Sequence, residues 1–193
     1  RATPLKDMGR FRHEAVAIDP KTSIAYQTED RDNGLIYKFI PNVKQKYAEG
    51  GELAALRIKN INKADTRNWN QEIFATNTKY EIDWVALKDT QNLKDDLRDR
   101  GIDKGAAFFA RPEGMWYDNN IIYFTCTSGG QKKFKEKYSL EKKLFGFLWK
   151  GGKKNKKNDH LGGGGKTAQK MSSDYMTFDF CIIFHSWGGL PLS

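Results

Sequence analysis

A short pattern recurs 99 residues apart and limits the folds open to this chain more than any other feature. Arg12-His13-Glu14 followed by Asp19 is matched by Arg111-Pro112-Glu113 followed by Asp118. Downstream, Ile24-x-Tyr26-x-Thr28 is matched by Ile121-x-Tyr123-x-Thr125. Repeats of this kind mark a unit that buries its apolar face against a neighbouring copy of itself. The unit is β. Short apolar, β-branched and aromatic runs fill Glu14–Asp19, Ile24–Thr28, Leu35–Ile40, Glu52–Ile58, Ile82–Leu87, Ala106–Ala110, Met115–Asp118 and Ile121–Thr127. Turn formers separate several of them: Asp19-Pro20-Lys21-Thr22-Ser23, Asp32-Asn33-Gly34, Gly50-Gly51 and Asp118-Asn119-Asn120. One segment reads as helical, Asp89–Arg100, with Gly101 as its stop.

Regular short strands with tight turns predict an all-β sandwich, barrel or propeller. A propeller blade takes roughly 40–50 residues, so the repeat spacing fits two blades, with an intervening blade and its insertions between the copies. The expected fold is a partial β-propeller of about two to three blades over residues 1–130. Blades surround a central channel. Glu14 and Glu113, at equivalent strand starts, are therefore expected to converge near one end of the axis.

The charge pattern bears on partners. The net charge is +9, which invites a nucleic-acid reading. However, residues 131–193 hold 13 Lys, no Arg and 5 acidic residues, whereas residues 1–130 hold 20 basic and 19 acidic ones. The body has no electrostatic footprint for a phosphate backbone, so no specific nucleic-acid partner is expected. No apolar run approaches the ~20 residues of a membrane span. There is no signal peptide and no initiating Met, and the chain starts at Arg1 as if cut from something longer. Residues 131–193 have two readings. One is a solvated basic tail; the other, which is the expectation here, is a shifted reading frame through A-rich coding sequence. Gly162–Gly165 with Lys166-Thr167 does not have phosphate-loop spacing. Cys126, in a strand-like run, reads as a small buried apolar residue rather than half of a disulfide with Cys181.

Converging carboxylates repel unless a cation lies between them. A hard cation such as Ca²⁺ takes 6–8 oxygen ligands, and Glu14, Glu29, Asp30 and Glu113 are of the right chemical type. His13, His160 and His185 lack the spacing of a zinc site, and His13 reads as a packed or orienting residue. Arg12 and Arg111, two residues before a Glu, lie on the same side of an extended strand as that Glu. They are placed to bind an anionic oxygen bidentately. The plainer readings are a solvated turn for Glu29-Asp30-Arg31-Asp32 and a strand-start ion pair for Arg111-Pro112-Glu113-Gly114.

Gly9-Arg10-Phe11-Arg12-His13-Glu14-Ala15-Val16-Ala17-Ile18-Asp19-Pro20-Lys21-Thr22, then Tyr26-x-Thr28-Glu29-Asp30-Arg31, then Gly34 to Asn42, closely resembles the PhoX-type alkaline phosphatases. Gly105 to Gly114 and Ile122 to Gly130 resemble that family's next recognisable stretch, so the match covers roughly residues 5–130. The resemblance implies an exported β-propeller, periplasmic or extracellular, hydrolysing small phosphate monoesters at a centre of Ca²⁺ and Fe³⁺. By motif position it implies Glu14, Glu29 and Glu113 as metal ligands and Arg111 as the phosphate contact. The metal would polarise the phosphoryl group. The family also carries an upstream segment with a cysteine iron ligand, which this chain lacks, and Cys126 does not occupy that motif. About half a propeller is expected, with open strand edges that invite self-association and with no activity on its own. Two alternatives stand beside this one. A gluconolactonase-like propeller rests on Glu113-Gly114 followed by Trp116, and a calcium-stabilised propeller would hold its blades together without chemistry.

Overall fold

The computed structural model describes residues 2–75 and 78–130 in full, and residues 167–171 and 175–179 as backbone strands. The rest of the predicted tail lies outside the described residues. The strands are β1 (His13–Ile18), β2 (Ala25–Glu29), β3 (Ile36–Pro41), β4 (Gly51–Ile58), β5 (Lys79–Leu87), β6 (Pro112–Asp118), β7 (Ile121–Cys126), β8 (Thr167–Met171) and β9 (Tyr175–Asp179). One α-helix, α1 (Leu97–Asp103), lies between β5 and β6. The chain is all-β in class.

Two antiparallel meanders, β1–β4 and β6–β9, form one open sheet in the order β1-β2-β3-β4-β5-β9-β8-β7-β6. β5 joins them. Its residues Ile82–Leu87 pair with β4, and Lys79–Glu81 pair with β9. The two first strands, β1 and β6, lie at the ends of that order and pack against each other.

The repeat read from the sequence is present in the register. β1 pairs with β2 through His13↔Glu29 and Val16↔Gln27, with a bulge between His13 and Val16. β6 pairs with β7 through Pro112↔Cys126 and Met115↔Phe124, with a bulge between Pro112 and Met115. Both copies thus carry an extra residue just after the Arg-x-Glu start, where it bends the strand. The arithmetic of two blades fails, because the copies pack directly against each other. Residues Gly51–Ala110 supply β4, the long β5, α1 and buried connecting chain instead of an intervening blade.

Each face of the first meander has its own core. Ile36, Leu56, Ile58, Phe74 and Ile82 pack with Phe109, Ile122, Phe124 and Cys126, joining the two meanders. Phe109 meets Phe124 edge-on at 5.5 Å. Phe11, Leu35, Tyr37, Phe39, Leu53, Val85 and Leu97 fill the other face. β3 and β4 are covered on both sides, so they read as near-continuous apolar runs rather than alternating ones.

Two further expectations are corrected. Ala106–Ala110 is not a strand. It crosses the sheet through single bridges, Gly34↔Phe109 and Asp65↔Phe108, and is buried because it plugs the space between the meanders. The helix begins at Leu97 rather than Asp89, and Gly101 lies inside it. A Cβ there would come within 2.6 Å of Leu35 Cδ1, so this glycine lets α1 approach β3 closely and does not stop the helix.

Candidate functional site

The Asp32-Asn33-Gly34 turn brings the end of β2 against the start of β6. Gly34 is required there, since a Cβ would lie 2.0 Å from the Glu29 carbonyl oxygen and 2.8 Å from Pro112 Cδ. This close approach fixes Arg111. Its N–H donates to the Arg31 carbonyl (2.9 Å), and its carbonyl accepts from the Thr127 N–H (3.0 Å). The residue is held at φ +53°. That region is uncommon for a bulky side chain and costs on the order of 1–3 kcal/mol.

The strained backbone aims the Arg111 guanidinium at Asp30. Nε donates to Asp30 Oδ1 (2.8 Å) and Nη2 to Oδ2 (3.0 Å), a bidentate pair spanning 81 residues of sequence. Nη2 also lies 3.1 Å from Glu113 Oε1. The hydrogen bond with Asp30 is the main influence holding the guanidinium above its already high ordinary pKa. Nη1 has no hydrogen-bond partner among the described residues. Asp30 is 8% exposed, whereas the Arg111 side chain is 43% exposed. The guanidinium is therefore anchored by one edge and open to solvent at its end.

Glu113 is fixed from a second side by Thr127, whose hydroxyl donates to Oε1 at 2.6 Å. Its carbonyl accepts from Thr28 Oγ1 (2.6 Å), and Thr28 Oγ1 in turn accepts from the Ala15 N–H (2.9 Å). Thr28 is fully buried and clips β1, β2 and β6 together at the site.

Of the residues expected at a metal, the structure places three in different settings. Glu113 is half-buried beside Arg111. Glu14 is exposed on β1 and has no hydrogen-bond or ion-pair partner among the described residues. Glu29 is fully buried, and both its oxygens are used by the chain itself. Oε2 accepts from the Tyr37 hydroxyl (2.9 Å) and the Leu35 N–H (3.3 Å), and Oε1 accepts from Arg98 Nη1 (3.3 Å). Burial, the largest influence, pushes the Glu29 carboxyl above its ordinary 4.5, against the pull of Tyr37, Arg98 and the Leu35 amide.

Among the described residues no three His, Cys, Asp or Glu side chains converge as a metal-holding group. The carboxylates have the right chemistry but do not complete a shell of 6–8 oxygens. His13 is exposed at the start of β1, its ring stacked on Phe11 at 3.7 Å and Nε2 donating to the Gly9 carbonyl. Cys126 is buried, and burial raises its thiol pKa. Arg12 has no side-chain partner among the described residues, unlike its counterpart Arg111. Sequence reading placed Asp30 among possible cation ligands. Its partner, Arg111, has no signal in local spacing, because the pair crosses between the meanders.

A family model described as "Alkaline phosphatase PhoX" matches residues 1–164. No match was found among curated proteins. Among solved structures, Pseudomonas fluorescens PhoX in complex with vanadate, a transition state analogue, is similar at 15% identity and a TM-score of 0.49. That similarity covers 90% of this chain and 32% of that one, so the chain spans about a third of the length of this relative.

Proposed function

The chain belongs to the PhoX alkaline phosphatase family, and we propose that it is a portion of a metal-dependent phosphomonoesterase in which Arg111 meets the phosphoryl group of the substrate. The observation that carries this reading is the guanidinium itself. It is cationic, anchored by buried Asp30, and beside Glu113 presents an Nη1 that has no partner among the described residues. A phosphoryl group carries its charge on peripheral oxygens, and a fixed guanidinium stabilises that charge without reorganising.

In this reading the two meanders are blades of a β-propeller, and the expected separation of residues 131–193 as a tail gives way at β8 and β9, which complete the second blade. The parent enzyme uses Ca²⁺ and Fe³⁺ and acts outside the cytoplasm on small phosphate monoesters. Glu14 and Glu113 contribute two ligands, and the rest of the shell comes from parts of the longer protein. Glu29, expected as a third ligand, serves here as the counter-ion of Arg98. The chain alone is therefore inactive.

The test is to titrate the chain with inorganic phosphate in the presence of Ca²⁺ and Fe³⁺, and to assay p-nitrophenyl phosphate hydrolysis under the same conditions. Phosphate binding that is lost in Arg111→Ala, without turnover, is the expected result. Robust turnover would overturn the incompleteness of the site, and binding unchanged in Arg111→Ala would overturn the role of Arg111. A calcium-stabilised propeller without chemistry is favoured by one observation, that Arg111 is engaged by two carboxylates, Asp30 and Glu113. Calcium binding with no phosphate binding would decide for it.

A further inference from the structure

We infer that Asp30 is the positioning residue of this site and that it restricts Arg111 to an end-on contact with phosphate. The inference rests on the phosphatase reading and deepens it. A free guanidinium offers a carboxylate or phosphate its Nε–Nη2 edge or its Nη1–Nη2 end. Here Asp30 holds the edge through both of its oxygens, at 2.8 and 3.0 Å. Nη2 is also turned toward Glu113 Oε1, 3.1 Å away. What remains for an incoming anion is the Nη1–Nη2 end, that is, the hydrogens on Nη1 and the second hydrogen of Nη2, which lies near Glu113 without a hydrogen bond to it. Of the bidentate contacts that the sequence reading allows, the one through the Nε–Nη2 edge is therefore closed to phosphate.

Asp30 is itself fixed. Its N–H donates to the Arg12 carbonyl (3.1 Å), it follows buried Glu29, and its side chain is only 11% exposed. It belongs to the first meander, whereas Arg111 opens the second. The orientation of the phosphate contact is thus set by how the two meanders dock. An Asp side chain is short enough to hold the pair tightly; a longer carboxylate would displace the guanidinium toward solvent.

The chain labelled with ¹⁵N-arginine tests this by following the side-chain resonances of Arg111, assigned by comparison with Arg111→Lys. In the wild-type chain the Nε proton should be protected from solvent exchange while the Nη1 protons exchange freely. Inorganic phosphate should then shift Nη1 and leave Nε unmoved. In Asp30→Asn, Nε protection should fall at least tenfold, and phosphate should shift Nε as well. Asp30→Glu should not restore the wild-type pattern. Free exchange at Nε in the wild-type chain, or a phosphate shift there as large as at Nη1, overturns the inference. If phosphate shifts neither nitrogen, the phosphatase reading of Arg111 fails, while the exchange rates still decide whether Asp30 holds the edge. The wild-type measurement does not depend on any variant folding.

Discussion

The β1–β2 and β6–β7 hairpins share a sequence pattern, a bulge and a register, yet their equivalent residues do different work. Glu29 and Cys126 hold the same register position, opposite His13 and Pro112 respectively. The first is a buried charge paired with Arg98; the second is a buried thiol in the apolar core. Thr28 and Thr125 are also equivalent. Thr28 bridges to the neighbouring meander, and the Thr125 hydroxyl has no partner among the described residues. Arg12 is without a side-chain partner there, while Arg111 is held by two carboxylates. A shared fold therefore fixes where residues stand. What each one does depends on the surface packed against it. The second copy receives Asp30 and Thr28 from the first, so the arginine that is held in place is the one at the junction.

The sharpest way to break this comparison is to remove the charge at the first of the equivalent positions. Glu29 is fully buried and Arg98 is 15% exposed. Deleting one partner of a buried ion pair strands the other and costs about 3 kcal/mol or more, against a typical domain stability of about 5–15 kcal/mol. Glu29→Ala should lose that amount in urea unfolding, whereas Cys126→Ala should lose only about 1 kcal/mol. Equal losses would show that the two positions are interchangeable core sites. The pH dependence has a defined sign. Because burial raises the folded pKa of Glu29 above 4.5, its proton-linked contribution is full below pH 4.5 and is lost as pH rises through the folded value. The stability advantage of wild type over Glu29→Gln should accordingly shrink across that window, because glutamine has no proton to lose.

A smaller effect sharpens the contrast between the threonines. Thr28→Val leaves the Ala15 N–H and the Glu113 carbonyl, both partly buried, without their shared hydroxyl. An unsatisfied buried group costs about 1–3 kcal/mol, so a loss of about 2 kcal/mol is expected by chemical denaturation. Thr125→Val removes a hydroxyl that holds nothing among the described residues and should fall within about 0.5 kcal/mol of wild type. A large loss at Thr125 would mean that the second hairpin carries an equivalent clip.

The same contrast shows what was legible in the sequence. The Arg-x-Glu repeat, seven of the eight strand-like runs and the buried character of Cys126 were all readable, because each is encoded by local alternation and turn residues. The family resemblance was readable for a different reason, the contiguous blocks around Arg12-His13-Glu14 and Arg111-Pro112-Glu113. The partners of Glu29 and Asp30 were not. Arg98 is 69 residues from Glu29, Arg111 is 81 from Asp30, and periodicity within a strand says nothing about which element covers it. Ala106–Ala110 was misread because a buried plug and a buried strand have the same apolar composition. The helix boundary failed because Gly101 looks like a stop unless its contact with Leu35 is known.

The finest test concerns the turns, where the hairpins differ in length. The first hairpin turns through Asp19–Ser23, braced by Asp19 accepting from the Lys21 N–H and the Thr22 hydroxyl. The second turns more tightly on Asn119 and Asn120, both left-handed at φ +47° and +61°. Two consecutive residues with positive φ give the two-residue turn that favours Asn-Gly. Asn120 is engaged from both sides, accepting from Lys21 Nζ and the Tyr117 hydroxyl. Asn119 is exposed and, among the described residues, its side chain reaches only Asp118. Asn119→Gly should therefore relieve the left-handed backbone and offset the entropy lost by a freer unfolded chain, leaving stability within about 0.5 kcal/mol of wild type. Asn120→Gly relieves the same backbone strain but removes the tie to Lys21, and should be the more costly of the two in thermal unfolding. If Asn119→Gly proves the worse variant, the turn is held by its Asp118 contact, and the link between the two hairpins through Lys21 contributes nothing to their docking.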